Sequence, residues 1–238
     1  MQIPLNVIHY YIGIILTAYL AYSGFTKSTS GAGGLTRSFA VSSLLMCLGL
    51  CSYGIPPLLT TNSDALSWGI IVGDLFQFAA LVTIWFTVIR IYLNAHAVLS
   101  RFVKIAVVVC AIVAQVLTTH DNLKHPVTLT QSNGAWNLNY SYLYWYSIFA
   151  AIMYASLLFL SIFLWRQSAK IEKRLQRFRV RSFGLLLGGV SLIFISQPLT
   201  SGSIAKQETS LLQGAIFLSL LILPAILALL KRFNTDQL

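Results

Sequence analysis

Asp74 and Gln77 lie three residues apart inside SWGIIVGDLFQFAALVTIWF, residues 67–86. At that spacing a carboxylate and a carboxamide share one helix face. Inside hydrocarbon an ionisable group costs about 2.5–3.5 kcal/mol at mid-helix, and such groups turn toward the bundle or toward water. The pair therefore suits one of two tasks. It ties neighbouring helices together by hydrogen bonds, or it binds a solute or a proton that enters between them. Further polar side chains fall inside apolar stretches at a similar depth: His9 with Tyr10, Gln115, Gln197 and Gln213. With Tyr144, from the aromatic run NYSYLYWYSIF, they form a candidate ligand-binding set. Interfacial anchoring is the simpler role for most of that aromatic run.

Catalytic constellations are absent from the sequence. His9, His96, His120 and His125 form no HExxH pair, and no Gly-x-Ser-x-Gly elbow occurs. Only Asp74 stands clearly within an apolar stretch, so a two-carboxylate intramembrane protease is not encoded. No lysine sits at mid-span for a retinal Schiff base, and GFTKSTSGAGGLTR lacks the phosphate-loop spacing. Cys47, Cys51 and Cys110 suit small apolar packing positions and outline no disulfide framework. The expectation is a protein that is not an enzyme and holds no cofactor and no metal.

The elements that position these residues follow from composition. Of 238 residues 57% are hydrophobic and 9% charged, with a mean hydropathy of +0.76. Soluble domains are about one quarter charged, so lipid must cover most of this surface. Crossing roughly 30 Å of hydrocarbon takes about 20 apolar residues in a helix. Seven windows qualify, at about 6–25, 38–59, 67–93, 101–119, 143–165, 182–200 and 209–230. They are too long and continuous for barrel strands. The expected fold class is all-α, a single domain that forms an integral membrane bundle of seven transmembrane helices.

Charge sets the expected orientation. The segments after the first, third, fifth and seventh spans carry fourteen of the sixteen basic residues, and the other side holds Lys124 and Lys206. The positive-inside rule puts the N-terminus outside and the C-terminus in the cytoplasm. MQIPLN has no basic n-region, so the first span is expected to be retained rather than cleaved. The net charge of +10 thus reports topology, and nothing resembles a nucleic-acid-binding fold. The segment WRQSAKIEKRLQRFRVR, 165–181, supplies Arg166, Lys170, Lys173, Arg174, Arg177, Arg179 and Arg181. Ile171, Leu175 and Phe178 recur between them at helical spacing, which predicts a continuous extension of the fifth span at headgroup level. The seven cations are candidate contacts for anionic membrane lipids, at about 1 kcal/mol each near the surface.

On the opposite side, residues 127–132 and 135–140 alternate apolar and polar positions around Asn133-Gly134, a dipeptide that tolerates the positive φ of a tight turn. They predict a small extracellular β-hairpin between the fourth and fifth spans. Two prolines are candidate hinges. Pro224 in the seventh span leaves the carbonyl of Leu220 without its helical partner, and Pro198 ends or bends the sixth.

RSFAVSSLLMCLGLCSYGI in the second span and THDNLKHPVTLTQSNGAWNLNYSYLYWYSIFAAIMYASLL resemble the seven-transmembrane N-terminal sensor region of bacterial histidine kinases and related signalling proteins. The resemblance implies a bundle in the bacterial cytoplasmic membrane that reads an external or lipidic cue. It also implies hand-over to a cytoplasmic output domain. Only eight residues, KRFNTDQL, follow the last span, so either a separate cytoplasmic signalling partner takes the signal or the sensing role is not inherited; a homodimer is a further candidate assembly. The expected function is receptor- or sensor-like, with an unknown small ligand in an outward pocket and movement of the last three spans. The alternative is a small membrane transporter or channel, against which the apolar inner halves of the spans count.

Overall fold

A computed structural model describes residues 8–29, 34–93, 96–132, 135–139 and 144–200. Two compact units divide the chain, Met1–Met153 and Tyr154–Leu238. In order come α1 (Ile8–Thr29), α2 (Gly34–Gly54), the single turn α3 (Pro56–Leu59), α4 (Ser63–Tyr92) and α5 (Ala97–Lys124). Strands β1 (Thr128–Ser132) and β2 (Ala135–Asn139) follow, then α6 (Tyr144–Ser168) and α7 (Arg174–Thr200). The chain is mostly helical. Among the described residues four stretches are long and apolar enough to cross a membrane: Thr36–Leu59, Ser63–Tyr92, Ala97–Lys124 and Ile148–Ser168. These are the marks of an integral membrane protein. The predicted span at 209–230 lies outside the described residues.

Proline and capping chemistry set the boundaries. The stretch 38–59 reads as one span, but α2 stops at Gly54. Pro56 has no N–H to give the helix, and its ring crowds the carbonyl four residues earlier. Pro56 and Pro57 instead open α3, where a first-turn N–H has no helical partner to lose. Asn62 then caps α4, its side chain accepting from Asp64 N at 2.8 Å and Ala65 N at 3.3 Å. At 1.5 Å per residue α4 is about 45 Å long, well beyond the roughly 30 Å hydrocarbon core.

Within the first unit α1 packs on α2, α2 on α4, and α4 on α5. Helix α4 is the centre of the row. Leu66, Ile71, Phe78, Leu81, Ile84, Val88 and Ile89 are all buried along it. The contact with α2 is close because α4 carries Gly69 and Gly73. A Cβ at Gly69 would stand 2.8 Å from the Ser52 carbonyl oxygen, and one at Gly73 would overlap the Tyr53 ring. Small residues four apart let two backbones approach where apolar burial gives no net drive. Farther along, Ser42 Oγ donates to the Ala80 carbonyl at 3.1 Å, and Trp85 Nε1 to that of Met153 at 3.1 Å.

Strands β1 and β2 pair antiparallel, with Thr128 opposite Asn139 and Ser132 opposite Ala135. They are anchored at the start of α4. The Val127 N–H donates to Ser67 Oγ at 2.8 Å, and Val127 is packed with Leu66 among Tyr10, Tyr11, Ile70 and Leu129. Helix α5 turns Val98, Phe102, Ile105, Val109, Ile112 and Val116 outward. A long aliphatic face of this kind suits hydrocarbon and would aggregate in water.

In the second unit Ser191 Oγ donates to the Tyr154 carbonyl at 2.7 Å, fastening α7 to α6. Here the continuous helix predicted over 165–181 is corrected. Helix α6 ends at Ser168, a connection runs through 169–173, and α7 begins at Arg174. Two of the basic side chains hold this break in place. Arg177 Nε donates to the Ile171 carbonyl at 2.8 Å, and Arg181 Nε to Ser168 Oγ at 3.0 Å. The Arg181 guanidinium also lies over the Trp165 ring, 5.2 Å from its centroid. Arginines thus take up polar groups that a helix end leaves open.

Candidate functional site

Asp74 lies on the face of α4 between α2 and α5 and is buried, at 5% exposure. Both of its oxygens have hydroxyl partners. The Tyr53 hydroxyl of α2 meets Oδ1, and Thr118 Oγ1 of α5 donates to Oδ2 at 2.6 Å. One carboxylate therefore joins three helices. The Tyr53 hydroxyl also stands 2.5 Å from Gln77 Oε1. A phenol has a single proton, and a carboxylate only accepts. The proton count closes when Tyr53 donates to Asp74 and the Gln77 carboxamide is turned over, so that its –NH2 donates to the phenol oxygen.

The local sequence explains why Tyr53 can reach so far. It is on the last turn of α2, just before the Pro56–Pro57 break, and its ring lies against the bare backbone of Gly73. The Tyr10 ring of α1 packs on it with centroids 5.2 Å apart. Tyr11, next in α1, donates its hydroxyl to the Gly54 carbonyl at 2.9 Å.

On α5, Gln115, Thr118 and Asn122 follow the i, i+3, i+7 spacing of one stripe. Gln115 Nε2 donates to the Ile71 carbonyl at 3.0 Å and lies 3.4 Å from Thr119 Oγ1. Asn122 Nδ2 donates to the Thr118 carbonyl at 2.9 Å and lies 3.3 Å from Thr118 Oγ1. Backbone carbonyls only accept, so each amide nitrogen must face its carbonyl and neither carboxamide can be turned over. Their oxygens, Gln115 Oε1 and Asn122 Oδ1, are buried without a hydrogen-bond partner. A buried acceptor in that state costs about 1–3 kcal/mol. Asn122 itself is 4% exposed.

Of the candidate ligand-binding residues, Asp74, Gln77 and Gln115 come together within one turn of this network. The side chains of His9, Tyr144 and Gln197, and likewise of Pro198 and Arg179, lie outside the described ones, as do Gln213 and Pro224 altogether. Helix α7 runs through Pro198 to Thr200. The candidate lipid-contact cations divide into two sets. Arg166, Lys170, Lys173 and Arg174 are exposed, whereas Arg177 and Arg181 hold the α6–α7 connection.

Tyr53, Thr118 and Asn122 are the members that residue-by-residue reading of the sequence does not single out. The signals for them exist: Gly69-x3-Gly73 on the Asp74 helix marks a close helix contact, and Gln115, Thr118 and Asn122 share a helical stripe. Hydropathy conceals the last because it ends the fourth span at 119, while α5 continues to Lys124. Helical hydrogen bonding does not stop where apolarity does, so Asp121 and Asn122 are helix residues and buried. Among the described residues no three His, Cys, Asp or Glu side chains gather as a metal site. Comparison with protein-family models returned no match, and neither did a search of the curated proteins.

Proposed function

We propose that the protein is a receptor- or sensor-like membrane bundle in which the Asp74 network is the element that responds to a ligand. The observation that carries this reading is the pairing of a closed lock with open acceptors. Tyr53 and Thr118 engage one oxygen each of Asp74 and hold α2, α4 and α5 together, while Gln115 Oε1 and Asn122 Oδ1 on α5 stay unsatisfied. A solute that engages the open oxygens and competes for Asp74 would gain most by parting these helices, and a ligand shifts an equilibrium only through such a difference in affinity.

The topology belongs to the same proposal. Seven spans with the N-terminus outside place fourteen basic residues in the cytoplasm and put the Asp74 network in the outer half of the membrane, beneath an extracellular hairpin β1–β2. The site then opens outward, and Arg166, Lys170, Lys173 and Arg174 meet anionic headgroups inside. The resemblance to bacterial sensor regions supports the bacterial cytoplasmic membrane and a separate cytoplasmic signalling partner. A transport path is disfavoured by the rest of the buried α4 face, which is Phe78, Ala80, Leu81, Ile84, Val88 and Ile89 with one polar side chain, Thr87, whose hydroxyl is given back to the Thr83 carbonyl of its own helix at 3.0 Å.

The test is a thermal-shift screen of small polar solutes on the purified protein and on Asp74→Asn, beside solute flux in liposomes. Some solutes should stabilise the wild type, and that response should vanish in Asp74→Asn. Robust flux of a stabilising solute would replace the receptor by a transporter. Responses identical in the two proteins would remove Asp74 from the site.

A further inference from the structure

We propose that the α6–α7 connection is a binding site for a membrane lipid with a phosphate monoester headgroup, gripped by Arg177 and Arg181. The site rests on the membrane setting and is independent of Asp74. It begins with how the two arginines are held. Arg177 Nε donates to the Ile171 carbonyl at 2.8 Å and Arg181 Nε to Ser168 Oγ at 3.0 Å. Both acceptors belong to one turn, closed by the Ile171 N–H on the Ser168 carbonyl at 3.2 Å. Ser168 is wholly buried, and its own hydroxyl is fixed by donating to the Trp165 carbonyl at 2.6 Å. The Arg181 guanidinium lies over the Trp165 ring. Four residues apart on α7, the two arginines share one helix face. Their guanidinium groups are therefore neighbours whose planes are set in advance.

A guanidinium carries five N–H donors in a rigid fork. Each arginine spends its ε N–H on the connection, and the η groups of both have no hydrogen-bond partner among the described residues. Charge points the same way. Residues 165–181 hold seven basic side chains and one acidic one, Glu172, and the first turn of α7 has no acidic residue. Arg166, Lys170, Lys173 and Arg174 are exposed around the same connection.

The kind of anion follows from the forks. Arginine meets oxyanions bidentately, whereas lysine acts as a point charge. A carboxylate or a phosphodiester has two terminal oxygens, which one fork fills. A phosphate monoester has three, with a charge of about −1.5 to −2 near pH 7, and can engage two forks at once. Lipid is the source that the position favours. The apolar stretch Ile148–Ser168 ends at this connection, and Trp165, 46% exposed, is of the residue type that settles at headgroup level.

Thermal unfolding of the full chain in phosphatidylcholine nanodiscs doped with phosphatidic acid or with phosphatidylglycerol, at matched surface charge, tests the site. Phosphatidic acid should bind about tenfold more tightly, as expected for added hydrogen bonds to a charged group. Arg177→Lys with Arg181→Lys keeps both charges, removes both forks and should bring the two lipids level. Lys170→Gln with Lys173→Gln should weaken both lipids alike and leave their ratio unchanged. If the arginine double variant fails to fold, Ser168→Ala keeps every charge, frees Arg181 from its anchor and should narrow the ratio. Glycerol 3-phosphate, the soluble headgroup, should compete weakly.

Equal affinity for the two lipids in the wild type, binding of neither, or a ratio that Arg177→Lys with Arg181→Lys leaves intact overturns the site and leaves a diffuse basic surface. Glycerol 3-phosphate that displaces phosphatidic acid completely at equal concentration overturns the lipid assignment in favour of a soluble phosphate ester. The Asp74-dependent response is read without either anionic lipid, so the receptor reading stands or falls separately.

Discussion

The two ends of α4 are held by different physics. Toward its start, from Ser67 to Gln77, the helix is fixed by direction-specific contacts: Ser67 to Val127, bare glycine backbone against Tyr53, and Asp74 between two hydroxyls. Toward its end, from Phe78 to Ile89, volume takes the larger share, with Phe78, Leu81, Ile84, Val88 and Ile89 buried in succession beside two bonds to backbone carbonyls, Ser42 to Ala80 and Trp85 to Met153. Helix pairs in lipid gain little from apolar burial as such, because the tails are as apolar as leucine. The packed end therefore holds by close fit and tolerates no voids. The polar end holds by a few bonds that a competing solute can replace. A bundle that must respond to something from outside needs an end of the second kind.

That contrast can be broken by substitution, and the largest effect is expected at the packed end. Leu81 is wholly buried, so Leu81→Ala should cost about 3 kcal/mol through the cavity it leaves, read by unfolding in mixed micelles. It should leave solute responses unaltered. Gly73→Ala comes next, at about 2 kcal/mol, since its Cβ would overlap the Tyr53 ring and force it off the helix. Unlike Leu81→Ala, it should also abolish any Asp74-dependent solute response, because it displaces the hydroxyl that meets Asp74. Tyr53→Phe keeps the ring and removes the hydroxyl's bonds to Asp74 and Gln77, for which about 0.6 kcal/mol each, and about 1.7 at most, is typical between membrane helices. Gln115→Leu should be smallest, within about 0.5 kcal/mol of wild type, because it trades one bond to the Ile71 carbonyl for the relief of an unsatisfied oxygen. A loss at Gln115→Leu larger than that at Leu81→Ala would reverse the assignment of the two ends.

How much of this is legible in the sequence depends on which interactions are local. Apolar run length marks α4 and α5 and the membrane setting, because that signal is written residue by residue. The pairing of Asp74 with Gln77 on one face is a matter of spacing and is equally plain. Tyr53 is not, because nothing near CSYGIPP states which helix its ring will meet. Only the Gly-x3-Gly pattern, twenty residues on in sequence, shows where a ring or a backbone can come close. Asn122 is concealed for a different reason: THDNLK looks like a loop by hydropathy yet completes α5. The break at 169–173 has no glycine or proline to announce it and depends on Arg177 and Arg181 reaching back across the connection.

The central physical claim is that Asp74 makes α2 and α5 answer to each other although Tyr53 and Thr118 bond to different oxygens of one carboxylate. A double-mutant cycle of Tyr53→Phe and Thr118→Val, measured by reversible unfolding in wild type and repeated in Asp74→Ala, tests it directly. A coupling of about 0.5 kcal/mol or more in wild type that disappears in Asp74→Ala is the predicted result. Strict additivity in wild type, or a coupling that survives without the carboxylate, would contradict it.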